Sequence, residues 1–229
     1  MRRLADAHVA VFGVGGVGGH CVQALARAGI GHITVIDDDV VSVTNINRQA
    51  VAMDSTIGQA KVEVIAAQVR DINPGCEVTP LRMFYTPETA EALDLTQFDA
   101  VADCIDTVKA KIELIVRAQE NGVYAISAMG AGDKLDPSCL RIADITKTSV
   151  CPLARAMRVS CKKKGIRHMT VAYSLEPMHP PVQPIAEESG RRKDIPGSTA
   201  FVPGAMGLLI ASHVVRTLMA GDEPARPEG

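Results

Sequence analysis

The stretch His8-Val9-Ala10-Val11-Phe12, then Gly13-Val14-Gly15-Gly16-Val17-Gly18, a helical run to Gly29, and Ile33-Thr34-Val35-Ile36 closed by Asp37-Asp38-Asp39 decides the fold. An apolar run, a glycine turn, a helix and a second apolar run tipped with carboxylates make a β-α-β unit. A tight turn, close approach of backbone to phosphate and close helix packing on the strand all exclude a Cβ. The helix N-terminus that follows offers unpaired N–H groups to an anion. Asp37 lies nineteen positions after Gly18, the separation expected of a carboxylate that takes ribose hydroxyls. Gly13, Gly15, Gly16, Gly18 and Asp37 are therefore read as nucleotide-binding.

Outward from this unit, a loop from Val40 to Ser55 leads to a helix from about Gly58 to Asp71, stopped by Asn73-Pro74-Gly75. Cys76 to Phe84 reads as a third strand, Thr86 to Leu93 as a short helix and Ala100 to Asp103 as a fourth strand, followed by the helix Val108 to Asn121 and the strand Tyr124 to Ala128. The alternation predicts an α/β, Rossmann-like, mainly parallel sheet with helices on both faces, whose ligands bind at the carboxyl ends of the strands. Beyond Gly132, Leu140 to Ile145 (strand), Pro152 to Lys164 (helix) and His168 to Ser174 (strand) read as an antiparallel C-terminal extension. The expected organisation is a single domain over residues 1–229, with a nucleotide-binding core at 1–135 and the extension at 136–220. Within the extension, 176–198 is polar and broken by proline, hence expected to be a mobile loop. The last helix, Gly204 to Ala220, is apolar around much of its circumference, which suits burial against the sheet or a second subunit. Residues 221–229 are expected to be a disordered tail.

A formal charge of −2 argues against a general polycation, so any nucleic-acid contact needs a local patch. No run approaches ~18 uninterrupted apolar residues and the N-terminus carries no signal-like apolar core, so the expectation is a soluble cytoplasmic protein without a membrane partner. Six cysteines without a CxxC pair remove the usual structural zinc site and dithiol redox centre. Three tyrosines, four phenylalanines and no tryptophan leave few stacking platforms for single-stranded nucleic acid.

A dinucleotide site needs little beyond the glycine turn and its acid. This chain adds Asn45, Asn47-Arg48-Gln49, Lys61 and Asp103-Cys104-Ile105-Asp106 where the fold could bring them to phosphates. Cleaving ATP between its α and β phosphates requires charge stabilisation on phosphorus and on departing pyrophosphate, which an Arg fork and a Lys point charge supply together with Mg²⁺. Arg48, Lys61 and Asp106 are the candidate catalytic residues, with Asp106 holding the metal.

At these residues the sequence resembles the ubiquitin-activating-enzyme-like family of adenylating enzymes, from about Leu4 to Gly132: GVGGVGG, IDDDVVSVTNINRQ, GQAKVE and DCIDT recur in order. The resemblance implies MgATP as cofactor, ribose contact by Asp37, phosphate contacts by Asn45, Arg48 and Lys61, metal binding by Asp106 and a homodimer. Whether a monovalent cation also sits near Gly130 to Gly132 is open. The segments Gly130 to Pro137, Arg141 to Ile145, Ala172 to Pro177 and Gly197 to Gly204 look like the tRNA-modifying branch of that family. That implies ATP-dependent cyclisation of threonylcarbamoyladenosine in tRNA, with sulfur-transfer proteins as further candidate partners. Two features depart from the pattern: only Arg2 and Arg3 precede the first strand as an arm, and no cysteine stands between Ile195 and Phe201. Cys151 and Cys161 stay open as nucleophiles.

Arg158, Lys162, Lys163, Lys164 and Arg167, with His168, form the densest basic run. It reads either as a charged helix end favoured by the dipole or as a tRNA backbone contact. Arg191-Arg192-Lys193 is a weaker candidate. Two other functions stay in play: adenylation of the C-terminal glycine of a small sulfur-carrier protein or peptide, and a dinucleotide-binding redox or regulatory module.

Overall fold

Seven strands form one sheet in the order β3-β2-β1-β4-β5-β7-β6 in the computed structural model, which describes residues 2–179 and 197–221. The strands are β1 (His8–Phe12), β2 (His32–Ile36), β3 (Glu77–Leu81), β4 (Ala100–Asp103), β5 (Tyr124–Ala128), β6 (Leu140–Asp144) and β7 (Thr170–Ser174). The helices are α1 (Arg2–Ala5), α2 (Gly18–Arg27), α3 (Lys61–Ile72), α4 (Val108–Glu120), α5 (Pro152–Lys163) and α6 (Phe201–Ala220). Most of the loop expected at 176–198, nearly all of the tail and the run Arg191 to Lys193 lie outside the described residues.

The central strands are buried on both faces, as parallel strands covered by helices are: Val9 to Phe12 and Ala100 to Ala102 read as unbroken apolar runs, and β2 buries Ile33, Val35 and Ile36 with Thr34 between them. Alternation then sorts the layers. Val9, Val11, Ile33 and Val35 pack with Val22, Leu25, Val62, Ile65, Ile210 and Val214, so α2, α3 and α6 cover one face. Ala10, Phe12 and Val101 meet Ala110, Leu114 and Ala118 of α4 on the other. Each aliphatic side chain so buried contributes roughly 1.5–3 kcal/mol. The chain winds from β1 to β3 in one direction and returns to β4 on the opposite side of β1, so the strand order reverses between β1 and β4, where open α/β sheets bind ligands.

Three expectations change. Only β6 is antiparallel: β7 pairs parallel with β5, Ile126 opposite Thr170, and extends the parallel sheet before β6 folds back on it. Thr86 to Leu93 forms no α-helix and closes as a 3-10 turn at Ala90–Ala92. The Thr89 hydroxyl donates to the Phe84 carbonyl and accepts the Thr86 N–H, a local alternative to helical bonding. The helix after the 40–55 loop starts at Lys61, because Val40 bridges to Ala60 and the Lys61 N–H donates to the Asp39 carbonyl. By length and composition α6 could cross a membrane, with a mean hydropathy of 1.4. Yet 56% of that window is buried, and the helix lies against α2 and the sheet as a core helix does.

Candidate active site

A cavity of about 720 Å³ opens at the carboxyl ends of β1, β2, β4 and β5. Its floor is the glycine turn. Gly13 has φ +84°, and a Cβ there would stand 2.7 Å from the Cys104 carbonyl oxygen; a Cβ on Gly18 would lie 1.8 Å from the Gly13 carbonyl oxygen. The turn therefore closes only with glycine at both positions. Among the described residues no side chain caps α2, whose preceding residues Gly15 to Val17 line the cavity, so apart from the Gly19 N–H, which donates to the Gly15 carbonyl, its N-terminus is available to an anion there.

The tip of β2 is tied to this turn. Asp37 Oδ2 accepts the Val14 N–H at 2.6 Å and Oδ1 accepts the Asp39 N–H at 2.9 Å. Burial pushes the Asp37 carboxyl above the usual carboxylate range, against the downward pull of those two N–H groups and of Lys61. Lys61, 5% exposed at the first turn of α3, places Nζ 2.6 Å from Asp39 Oδ2. Arg48 Nη1 donates to the Thr44 carbonyl (2.8 Å) and to Asn47 Oδ1 (2.9 Å), while the Arg48 carbonyl accepts His20 Nε2 at 3.2 Å. Asp106, exposed on the opposite rim, accepts the Thr107 hydroxyl at 3.2 Å, its one hydrogen-bond partner among the described residues.

Gly13, Gly15, Gly16, Asp37, Arg48, Lys61 and Asp106 thus line one cavity. Two predicted residues do not. Gly18 serves the closure of the turn. Asn45 is buried with its Oδ1 accepting the Ser42 N–H, closing a capping box on the 3-10 turn Val43–Asn45. Its contribution is to hold the loop that carries Arg48. Gly130 to Gly132 lie on the far wall with Asp133, whose Oδ1 and N–H bond to the Gly197 N–H and carbonyl.

Neither candidate nucleophile reaches the cavity. Cys161 packs under α5 beside Met169, with burial pushing its thiol up, and Cys151 is buried behind Gly130. Cys104 does line the cavity, but burial and then Asp103 push its thiol up to about 12. The basic run divides. Arg158 Nη1 donates to the Ile145 carbonyl, the Thr148 carbonyl and the Thr148 hydroxyl, stapling α5 to the loop before it. Lys162, Lys163, Lys164 and Arg167 are exposed at the opposite end of α5 from Leu153, which lines the cavity. At 1.5 Å per residue they stand roughly 15 Å from the rim. From Ile145 to Leu175 the chain carries Lys147, Arg155 and these basic residues with no Asp or Glu, a strongly positive strip on a slightly acidic protein.

Of the other residues in the stretches singled out, Gln49 and Asp103 fall at or behind the cavity, and Lys111 is the one the sequence reading missed. Gln49 lines the cavity 8% exposed, with Oε1 unpartnered among the described residues. Behind Asp106, Asp103 and Lys111 form an ion pair at 3.0 Å with both side chains fully buried. Lys111 stands at helical spacing with Leu114, Ile115 and Ala118, and a lysine on an apolar stripe is the one signal that could have found it.

A family model described as the ThiF family matches residues 1–228. The chain is similar over 240 aligned residues to the tRNA threonylcarbamoyladenosine dehydratase of Bacillus subtilis, 41% identical, covering 99% of this chain and 92% of that protein. Among solved structures it is similar to the E. coli tRNA N6-threonylcarbamoyladenosine dehydratase in complex with AMP, at TM-score 0.86 and 36% identity over 96% of this chain and 88% of that one. The complex of the same enzyme with ATP gives a TM-score of 0.85, with the same identity and coverage.

Proposed function

Since the chain belongs to the ThiF family, we propose that it is an ATP-dependent enzyme that cyclises threonylcarbamoyladenosine in tRNA. The observation that carries this is one cavity at the strand switch point uniting the glycine turn, Asp37, Arg48, Lys61 and Asp106, in a chain similar end to end to dehydratases solved with AMP and ATP.

The threonyl carboxylate oxygen attacks the α-phosphorus of ATP and pyrophosphate leaves. A nitrogen of the threonylcarbamoyl group then attacks the acyl carbonyl, loses its proton and expels AMP, closing a hydantoin-type ring. The nucleophile is already in the substrate, so the protein's work is positioning and charge stabilisation. The glycine turn and the α2 N-terminus cradle phosphate, Asp37 takes the ribose, and Arg48 and Lys61 meet the charge on phosphorus and pyrophosphate. Lys61 exchanges Asp39 for a phosphate oxygen as ATP enters.

Asp106 offers a hard oxygen donor, exposed and held among the described residues by one hydroxyl, which suits Mg²⁺. When bound, that ion supplies neutralisation of the triphosphate charge. The positive strip along α5 is the approach for the tRNA backbone. Phe201 and Leu208, exposed on α6, and Val43 and Ile46 on the loop tethered by the Asn47 Nδ2 bond to the Ser198 carbonyl offer apolar surface to a second copy, hence a homodimer. A cytoplasmic location follows from a tRNA substrate. A sulfur-transfer partner has less support, because the Cys104 thiol is poorly suited to a thiolate relay.

Mass spectrometry of tRNA nucleosides from cells with and without the gene tests the reading: the cyclic nucleoside disappears and the open form accumulates. An unchanged profile, together with pyrophosphate exchange stimulated by a Gly-Gly-ended protein, would replace tRNA by a protein substrate.

A further inference from the structure

Asp103 and Lys111 are, among the described residues, the one ion pair with both side chains fully buried. Taking two charges out of water costs about what their attraction returns, so such a pair does little for stability that apolar side chains could not do. What it does here is hold the two peptide units on either side of one residue, Ile105. Asp103 Oδ1 accepts the Ile105 N–H at 3.2 Å, and Lys111 Nζ donates to the Ile105 carbonyl at 2.9 Å. The Ser127 hydroxyl on β5 completes the cluster by donating to Asp103 Oδ2 at 2.5 Å.

Both polar groups of Ile105 are thereby fixed immediately before Asp106. The Cys104–Ile105 peptide, whose N–H Asp103 holds, also abuts the glycine turn, since a Cβ on Gly13 would stand 2.7 Å from the Cys104 oxygen and 3.1 Å from the Ile105 nitrogen. One buried cluster therefore sets the distance between the phosphate cradle and the exposed carboxylate across from it. Lys111 itself is 0% exposed and is not among the residues that line the cavity.

We infer that Lys111 is a positioning residue, acting through Asp103 and the Ile105 peptide to aim Asp106 at the metal on the triphosphate. This rests on the reading of Asp106 as the metal ligand. Residues behind a metal ligand commonly change metal affinity about 10- to 100-fold when altered. The nucleoside end of the cavity is held by Asp37, which bonds to the Val14 and Asp39 N–H groups and to no member of the cluster.

The test replaces the pair without uncovering a lone charge, as the double variant Asp103→Asn/Lys111→Met. Mn²⁺ affinity is read by EPR with a non-hydrolysable ATP analogue, and AMP affinity by calorimetry. The expected result is Mn²⁺ binding weakened about tenfold or more, with AMP affinity unchanged. Equal weakening of both would make the pair merely structural, and unchanged Mn²⁺ affinity would overturn the inference. If the double variant does not fold, Ser127→Ala, which removes one partner of Asp103, must weaken Mn²⁺ binding without touching AMP, and failure to do so is equally decisive. Asp106→Asn run in parallel separates the layers: if it leaves Mn²⁺ binding intact, the metal-ligand reading fails, whereas if it abolishes binding and the double variant does not weaken it, the positioning role alone fails.

Discussion

The Val14 N–H donates to Asp37 Oδ2 across 2.6 Å, so the first turn after β1 and the residue that follows β2 move as one unit. The carboxylate proposed to take the ribose is thus tied to the turn proposed to take the phosphates. Asp37→Asn should weaken AMP binding about tenfold or more, since a hydrogen bond to a charged group is worth about 1.5–3 kcal/mol. Calorimetry checks this. Burial raises the Asp37 carboxyl, so its ionised, acceptor form is lost on acidification at a higher pH than for an ordinary aspartate. Affinity should therefore fall as pH falls through that raised value, and the Asn variant should lack this limb.

If the proposed role holds and its guanidinium serves developing charge on phosphate, Arg48→Ala should lower pyrophosphate exchange by about 10²-fold or more while AMP affinity stays close to wild type. Arg48→Lys should rescue little, since Nη1 alone holds Thr44 and Asn47 and leaves the rest of the planar guanidinium to face phosphate, which a point charge does not reproduce. Equal loss of AMP binding would move Arg48 from the phosphates to general structure.

The basic run on α5 should split by position. Lys162→Ala/Lys163→Ala/Lys164→Ala should weaken tRNA binding and flatten its salt dependence by about 0.7–0.9 in slope for each phosphate no longer neutralised, with thermal stability unchanged. Arg158→Ala should do the reverse, lowering the melting temperature through about 1–3 kcal/mol of destabilisation at its three acceptors, with little change in salt slope. Filter binding across a salt series, with thermal melts, checks both.

His213 on α6 is 3% exposed, both ring nitrogens lack a partner among the described residues, and burial with help from Arg216 lowers its pKa. The unfolded chain takes up a proton near the ordinary histidine value of 6.5 that the folded chain refuses, so stability falls as pH drops from about 6.5 toward the depressed folded value. His213→Leu should shallow that slope in denaturant melts. Some slope should persist, because burial also lowers the pKa of His8, in the same direction. A slope unaltered by the substitution would show that His213 protonates freely in the fold.

Local pattern alone determined the nucleotide-binding half. β1, β4 and β5 begin and end where their apolar runs do, and Gly13 to Gly18 with Asp37 form the expected cradle, because strand burial and a Cβ-free turn are written in adjacent residues. Arg48, Lys61 and Asp106 were legible as residue types that a triphosphate requires, and the sheet order brings them to one rim. Tertiary structure decided what depends on partners far apart in the chain: that Asn45 caps its own loop, that Arg158 is a staple and its neighbours a surface, and that β7 joins the sheet in parallel. It alone disclosed Lys111, whose charge is tolerated only because Asp103 and Ile105 arrive from the end of β4 to meet it, a match that no spacing along the sequence encodes.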